Sequence, residues 1–309
     1  MSRTLTLKLS PISDSDIDRV VEIGEKSATA IGDRYSFTRS DVIAMRTWAR
    51  MGTSGFLGIR DDGTLVGIAR YLQFLDAQPP LVVAQLTVDP EFRHNRVGAW
   101  AHDQVLEKAK SDGADYIDGT ADIRDKEAMG FLNRRGFERL VNMWTMEADP
   151  DFAPGEEPQA PRGYQLRDYV PGQDTQLLTD MFNQTFDKHV TFFPCTVEDT
   201  RSIENTPMFD PGLTKILERD DGTPVAYARN SVRGDAKDAW VDVLGVLPEA
   251  QGLGLGRFML VHSMYLLAQF KPRAIRLVVE GTNDKARALY DSEGFMEICT
   301  RMRFRKKLA

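Results

Sequence analysis

The chain has 309 residues, 42% hydrophobic and 28% charged, with a formal net charge of −7; that length suits two ordinary cores better than one. The acidic balance argues against general affinity for nucleic acid or acidic lipid, whose phosphates demand a basic face. No stretch approaches the roughly 20 apolar residues of a membrane span, and two cysteines, Cys195 and Cys299, supply neither a disulfide framework nor a metal cluster.

Met1–Leu5 lacks the apolar run of a secretory signal, so a cytoplasmic protein without bound metal is expected. A short strand over Leu5–Leu9 precedes Pro11 and a helical segment. Asp61-Asp62-Gly63-Thr64 has the chemistry of a tight hairpin turn between Gly55–Arg60 and Leu65–Arg70. A β-rich run, Leu81–Val88, stops at Pro90. A long helix over Gly98–Asp112, a strand over Tyr116–Gly119 and a last helix ending at Gly136-Phe137 complete the set.

The whole order then repeats. Arg60-Asp61-Asp62-Gly63-Thr64 recurs at Arg219-Asp220-Asp221-Gly222-Thr223, 159 positions on, and Gly136-Phe137 recurs at Gly294-Phe295, 158 positions on. Between the copies, residues 150–163 are rich in proline and glycine and read as a semi-stiff linker. The expected domains are therefore 1–149 and 164–309. The second copy predicts strands at Tyr164–Asp168, Lys215–Arg219, Val225–Asn230, Ala239–Leu247 and Ala274–Val279, with a long helix over Gly254–Phe270. Strands and helices at this spacing predict an α/β fold of the α+β type: in each copy a mixed, mostly antiparallel twisted sheet with helices on both faces.

In the second copy the strand through Val241–Leu247 leads into Gln251-Gly252-Leu253-Gly254-Leu255-Gly256-Arg257 and then a helix. Closely spaced glycines let successive backbone N–H groups surround an anion, and the first helical turn adds unpaired donors and the positive end of the macrodipole. Such a strand–loop–helix suits a diphosphate. The loop lies mid-domain, after a hairpin, and about 20 residues on stands Gln269-Phe270-Lys271 without a carboxylate, against a dinucleotide fold. A Walker lysine is absent as well.

Gln251, Gly254 and Gly256, followed downstream by Asn283-Asp284-Lys285-Ala286-Arg287-Ala288-Leu289-Tyr290 and Gly294-Phe295, resemble the GNAT superfamily of N-acetyltransferases; Val243-Leu244-Gly245-Val246 with Pro248 and Gln251, and Val279-Glu280 before Asn283, resemble its tandem mycothiol-synthase branch. The resemblance implies acetyl-CoA as co-substrate and no metal. It implies pyrophosphate contacts from Gln251 through Arg257, and main-chain pairing of Leu244, Gly245 and Val246 with pantetheine. It further implies pantetheine-side contacts from Asn283, Ala286 and Arg287, and Tyr290 as general acid beside the thioester sulfur. Asn283 also suits a helix N-cap, and Tyr290 a core position against Phe295.

An amine must lose a proton before attack, because an alkylammonium of pKa about 10.4 is almost wholly protonated at neutral pH. The branch's usual carboxylate position holds Trp240. Asp242, on the same sheet face by strand alternation, is the first candidate base, with Glu280 in reserve and a water chain as the third route. Substrate choice is expected from Thr185–Gly212, where phenylalanines combine with Asp187, Glu198, Asp199, Glu204 and Asp210. In the first copy Arg96 replaces the first required glycine, which hinders a backbone cradle, and Leu132 stands where Tyr290 does. That copy reads as degenerate. The expected partner is a small-molecule or peptide amine, handled by a monomer or homodimer. The rival readings are a silent acyl-CoA sensor or scaffold, and an enzyme like those of the mycothiol-synthase branch.

Overall fold

A computed structural model describes residues 5–33, 36–47, 50, 55–233 and 238–308. Residues 1–4, whose sequence lacks a signal-like run, lie outside the described residues. In chain order the first copy forms β1 (Leu7–Pro11), α1 (Ile17–Ala30), α2 (Arg39–Thr47), β2 (Phe56–Asp61), β3 (Thr64–Phe74), β4 (Leu81–Val88), α3 (Val97–Ser111), β5 (Tyr116–Asp122), α4 (Lys126–Arg134) and β6 (Glu138–Ala148). The second forms β7 (Tyr164–Asp168), α5 (Thr175–Phe186), α6 (Val197–Glu204), β8 (Thr214–Arg219), β9 (Pro224–Arg233), β10 (Asp238–Val246), α7 (Leu255–Ala268), β11 (Ala274–Glu280), α8 (Asp284–Ser292) and β12 (Met296–Lys307). Among the described residues no helix is long and apolar enough to cross a membrane.

Two compact units result: Met1–Leu140 with Arg301–Ala309, and Val141–Thr300. In the first, the strand order is β1-β2-β3-β4-β5-β12, antiparallel except for β4–β5. The hairpin turn forms as its residues predict, with Asp62 (φ 48) and Gly63 (φ 84) both left-handed. Val105, Ala109 and Met129, from α3 and α4, pack on Ile117 and Val82 of the sheet. On the other face Val20, Ile23 and Val42, from α1 and α2, pack on Phe56 and Ile68.

The second unit has the order β6-β11-β10-β9-β8-β7, and only β10–β11 is parallel. Leu260, Met264 and Leu267 of α7 bury against Ala239, Val241, Ile275 and Leu277. Leu178 and Met181 of α5 bury against Ile216, Tyr227 and Leu247 on the opposite face. The proline-rich stretch follows this unit: Ala153 packs into its core, Glu157 accepts from His262 Nε2 at 3.2 Å, and Phe152 lies against Gly294.

The units are not the two copies taken whole. The strand after each Gly-Phe pair was absent from the sequence reading, and it is this strand that each copy gives up. β6 pairs with β11, with Arg276 opposite Glu147, and β12 pairs with β5, with Arg305 opposite Asp118. Ion pairs sit at both positions: Arg276 Nε to Glu147 at 2.8 Å, and Arg305 Nε to the buried Asp118 at 2.7 Å, joined there by Arg303 Nε at 2.8 Å.

Candidate active site

β10 and β11 pair from Asp238 opposite Ala274 to Val241 opposite Leu277, and there the parallel ladder stops. Beyond that point β11 continues against β6 to Glu280, while β10 continues against β9 to Val246. The register on β10 shifts between Val241 and Val243, so Asp242 is a bulge residue. Alternate main-chain groups of Leu244, Gly245 and Val246 therefore face away from β9 into an open gap. An extended chain fits such a gap as an added strand.

The gap leads to the glycine loop. Gly252 (φ 81) and Gly254 (φ 78) take left-handed backbone that L side chains adopt at a cost, and a Cβ at either would meet nothing within 4 Å. The space in front of both is open. Gly254 is the N-cap of α7, whose first internal bond is Phe258 N–H to Gly254 C=O at 3.1 Å. The N–H groups of Leu255, Gly256 and Arg257 thus have no helical acceptor. Gln251 steadies the entry to the loop by donating from Nε2 to the Val246 carbonyl at 3.1 Å, and Leu253 is 59% exposed. These residues fit a diphosphate joined to an extended arm. Side-chain cations contribute less than their number suggests. Arg257 pairs with Glu293 at 2.6 Å, Arg287 stacks over Trp144 at 3.9 Å and bonds Glu297, and Lys285 is exposed.

Asn283 caps α8, its Oδ1 accepting from Ala286 N–H at 3.1 Å. Tyr290 of the same helix is 8% exposed, packs with Phe295, and belongs to the core cluster that includes Val279 of β11 and, at its margin, Leu244 of β10, which border the gap. Its hydroxyl has no protein partner among the described residues, and burial pushes the phenol up to about 12. It stays protonated at neutral pH, as a donor requires.

Neither candidate base is a free carboxylate. Asp242 accepts from Arg233 Nη2 at 2.6 Å, and the Arg233 guanidinium lies 4.6 Å over the Trp240 ring. Simple alternation fails at the bulge, yet Arg233 brings Asp242 to the Trp240 side. Glu280 is 4% exposed and accepts from Thr282 Oγ1 (2.6 Å), Thr191 Oγ1 (2.7 Å), Thr191 N (3.0 Å) and Val190 N (3.2 Å). Burial pushes its carboxyl up, but these hydrogen bonds outweigh that and hold it below the usual range. It ties the segment after α5 to β11. Sequence reasoning missed Arg233, Trp144 and this tie, because each partner comes from a distant strand or loop.

The acidic wall expected over 185–212 is largely spent on structure. Asp199 completes the capping box of α6, Asp210 accepts from Gly212 N at 2.8 Å, and Glu204 accepts from Thr175 Oγ1 at 2.6 Å and from the Tyr169 hydroxyl. Glu198 pairs with Arg201. Of the aromatic residues in that segment, Phe186 and Phe209 pack on the same core cluster as Val243 of β10, joined there by Phe182 of α5.

In the first unit β4 and β5 also separate, after Val83 opposite Asp118, but β4 has no bulge against β3. His94 (φ 64) and Arg96 (φ 62) hold the left-handed conformations of Gly252 and Gly254. The expectation that Arg96 hinders the cradle is thus corrected for the backbone: the turn persists under strain, with side chains where open space lies in the other copy. Asp125 repeats the cap of Asn283, accepting from Ala128 N at 2.8 Å. Leu132 packs into the core and offers no proton.

Comparison with known proteins identifies the family and the fold. The family model of the acetyltransferase (GNAT) family matches residues 19–137 and again 178–295. The chain is similar to mycothiol acetyltransferase from Stackebrandtia nassauensis, 30% identical over 94% of this chain and 95% of that one. It is also similar to mycothiol acetyltransferase from Thermobispora bispora, 30% identical over 91% and 92% of the two chains. In fold it is similar to a GCN5-related N-acetyltransferase from Sphaerobacter thermophilus, with TM-score 0.77, 19% identity and coverage of 99% and 97%. A tandem GNAT protein from the clavulanic acid biosynthesis pathway gives 0.77 at 16% identity, covering 98% and 99%. The chain belongs to the acetyltransferase (GNAT) family and is an acyl-CoA-dependent N-acetyltransferase with two tandem family regions.

Proposed function

We propose that the second copy carries acetyl transfer from acetyl-CoA to the primary amine of a small molecule or peptide, by direct attack. One observation supports this reading: the gap between β10 and β11 lies between a glycine loop with open space before it and the helix of a buried phenol that has no partner among the described residues. In this reading the N–H groups of residues 252–257 hold the diphosphate, and Leu244, Gly245 and Val246 pair with the pantetheine arm. A main-chain N–H of that segment polarises the thioester carbonyl. The amine nitrogen bonds to the carbonyl carbon as the carbon–sulfur bond breaks. Tyr290 donates its proton to the departing sulfur, and Asp242, once released from Arg233, or a water chain takes the proton from the amine. The first copy lacks the phenol and serves as a silent partner.

Release of the CoA thiol across a panel of amines tests the proposal. The panel includes the mycothiol precursor, because the relatives above are mycothiol acetyltransferases. Turnover with any primary amine supports transfer. Acetyl-CoA binding without turnover on every amine overturns it in favour of a sensor.

A further inference from the structure

Strand alternation puts Tyr227 and Arg229 on the α5 face of β9, opposite Gly245 and Val243 of β10. The contact is close: a Cβ on Gly245 would come within 2.5 Å of the Tyr227 ring and 3.1 Å of the Thr185 methyl. Only glycine lets these two side chains lie over the strand that borders the gap. Tyr227 is 1% exposed, and its hydroxyl is buried without a partner, as is the hydroxyl of Thr185. A buried hydroxyl left unpaired costs about 1–3 kcal/mol, so two beside one glycine call for an explanation.

Arg229 supplies one. It is half-buried, and its side chain makes no hydrogen bond or ion pair among the described residues, while its charge acts on the Tyr227 phenol. The carboxylate on the neighbouring strand, Asp242, is committed to Arg233. The matching arginine of the first copy, Arg70, 159 positions earlier, is engaged, with Met45 Sδ at 3.4 Å. Among the described residues, this face of the second copy thus holds one cation without an ion-pair partner and two unpaired hydroxyls beside an apolar wall.

Resting on the transfer reading above, we propose that the acceptor amine carries a carboxylate, which Arg229 binds with hydrogen bonds from Tyr227 and Thr185. A guanidinium matches a carboxylate edge-on through paired N–H donors. One cation balances one negative charge, which favours a carboxylate over a phosphate monoester carrying about −1.5 to −2 at neutral pH. Arg229 is then a specificity-determining residue that plays no part in the proton transfers.

Calorimetric titration of N-acetyl amino acids and their carboxamides, with CoA present, tests this without relying on turnover. The wild type is expected to bind the acids at least tenfold more tightly than the amides. Arg229→Gln should remove that preference and Arg229→Lys retain part of it, both with unchanged CoA affinity as the check on folding. Equal binding of acid and amide, no binding of either, or a preference that survives Arg229→Gln overturns the proposal. Acid binding without turnover of any amine would instead strike the transfer reading and leave the carboxylate site standing.

Discussion

The two units use the same ladder position with opposite polarity. On β5 the residue is Asp118, met by Arg305 of β12; on β11 it is Arg276, met by Glu147 of β6. Had each copy kept its own last strand in this register, Asp118 would face Glu147 and Arg276 would face Arg305. Like charges directly opposed are destabilising. The charge pattern thus selects the exchanged strands, a selection invisible in either copy alone. The same comparison at the loops shows what duplication kept and lost. The backbone turn survives with His94 and Arg96 in place of glycines, whereas the phenol and the bulge are present only in the second copy.

Breaking the functional side of this contrast should give the largest effect. Tyr290→Phe is expected to lower kcat about 100-fold, the low end of general-acid contributions, with acetyl-CoA affinity within about twofold by calorimetry. Leu132→Met, at the matching position, should leave kcat unchanged. Because the Tyr290 phenol is raised to about 12, it remains a proton donor below that value. The rate should therefore rise with pH as the amine deprotonates and show no alkaline fall up to about pH 10. A decline starting near pH 9 would contradict the assignment.

The structural side comes next. Asp118→Asn should destabilise the first unit by about 2–3 kcal/mol in denaturant titration. That lies below the range for a wholly buried pair, because Arg305 is 28% exposed. Asp118→Lys, which sets like charges opposite, should cost more. The smallest effects are at the turns: Arg96→Gly should stabilise by about 1 kcal/mol by relieving left-handed strain, and Gly254→Ala should cost about the same. An unstable Arg96→Gly variant would mean that the arginine side chain holds the loop.

Much of this was legible in the sequence, because it is written locally. The hairpin turns, the glycine loop, the Asn283 cap and the strand–helix order follow from short-range chemistry. The 158-residue offset exposed the duplication. What escaped is written between distant segments. β6 and β12 lack clean alternation, and Glu147, Arg303 and Arg305 find their ion-pair partners on strands of the other copy. The bulge at Asp242 and its Arg233 partner depend on the register of β9 against β10. The acidic residues after α5 looked like a substrate wall, but capping geometry, not composition, decides that most of them are structural.

Amide hydrogen exchange with and without saturating acetyl-CoA tests the central claim most directly, because it reads the main-chain N–H groups on which the account depends. Exchange at residues 244–246 and 252–257 is predicted to slow about tenfold or more on binding. Acetyl-CoA bound with exchange in those two segments unchanged would contradict the account.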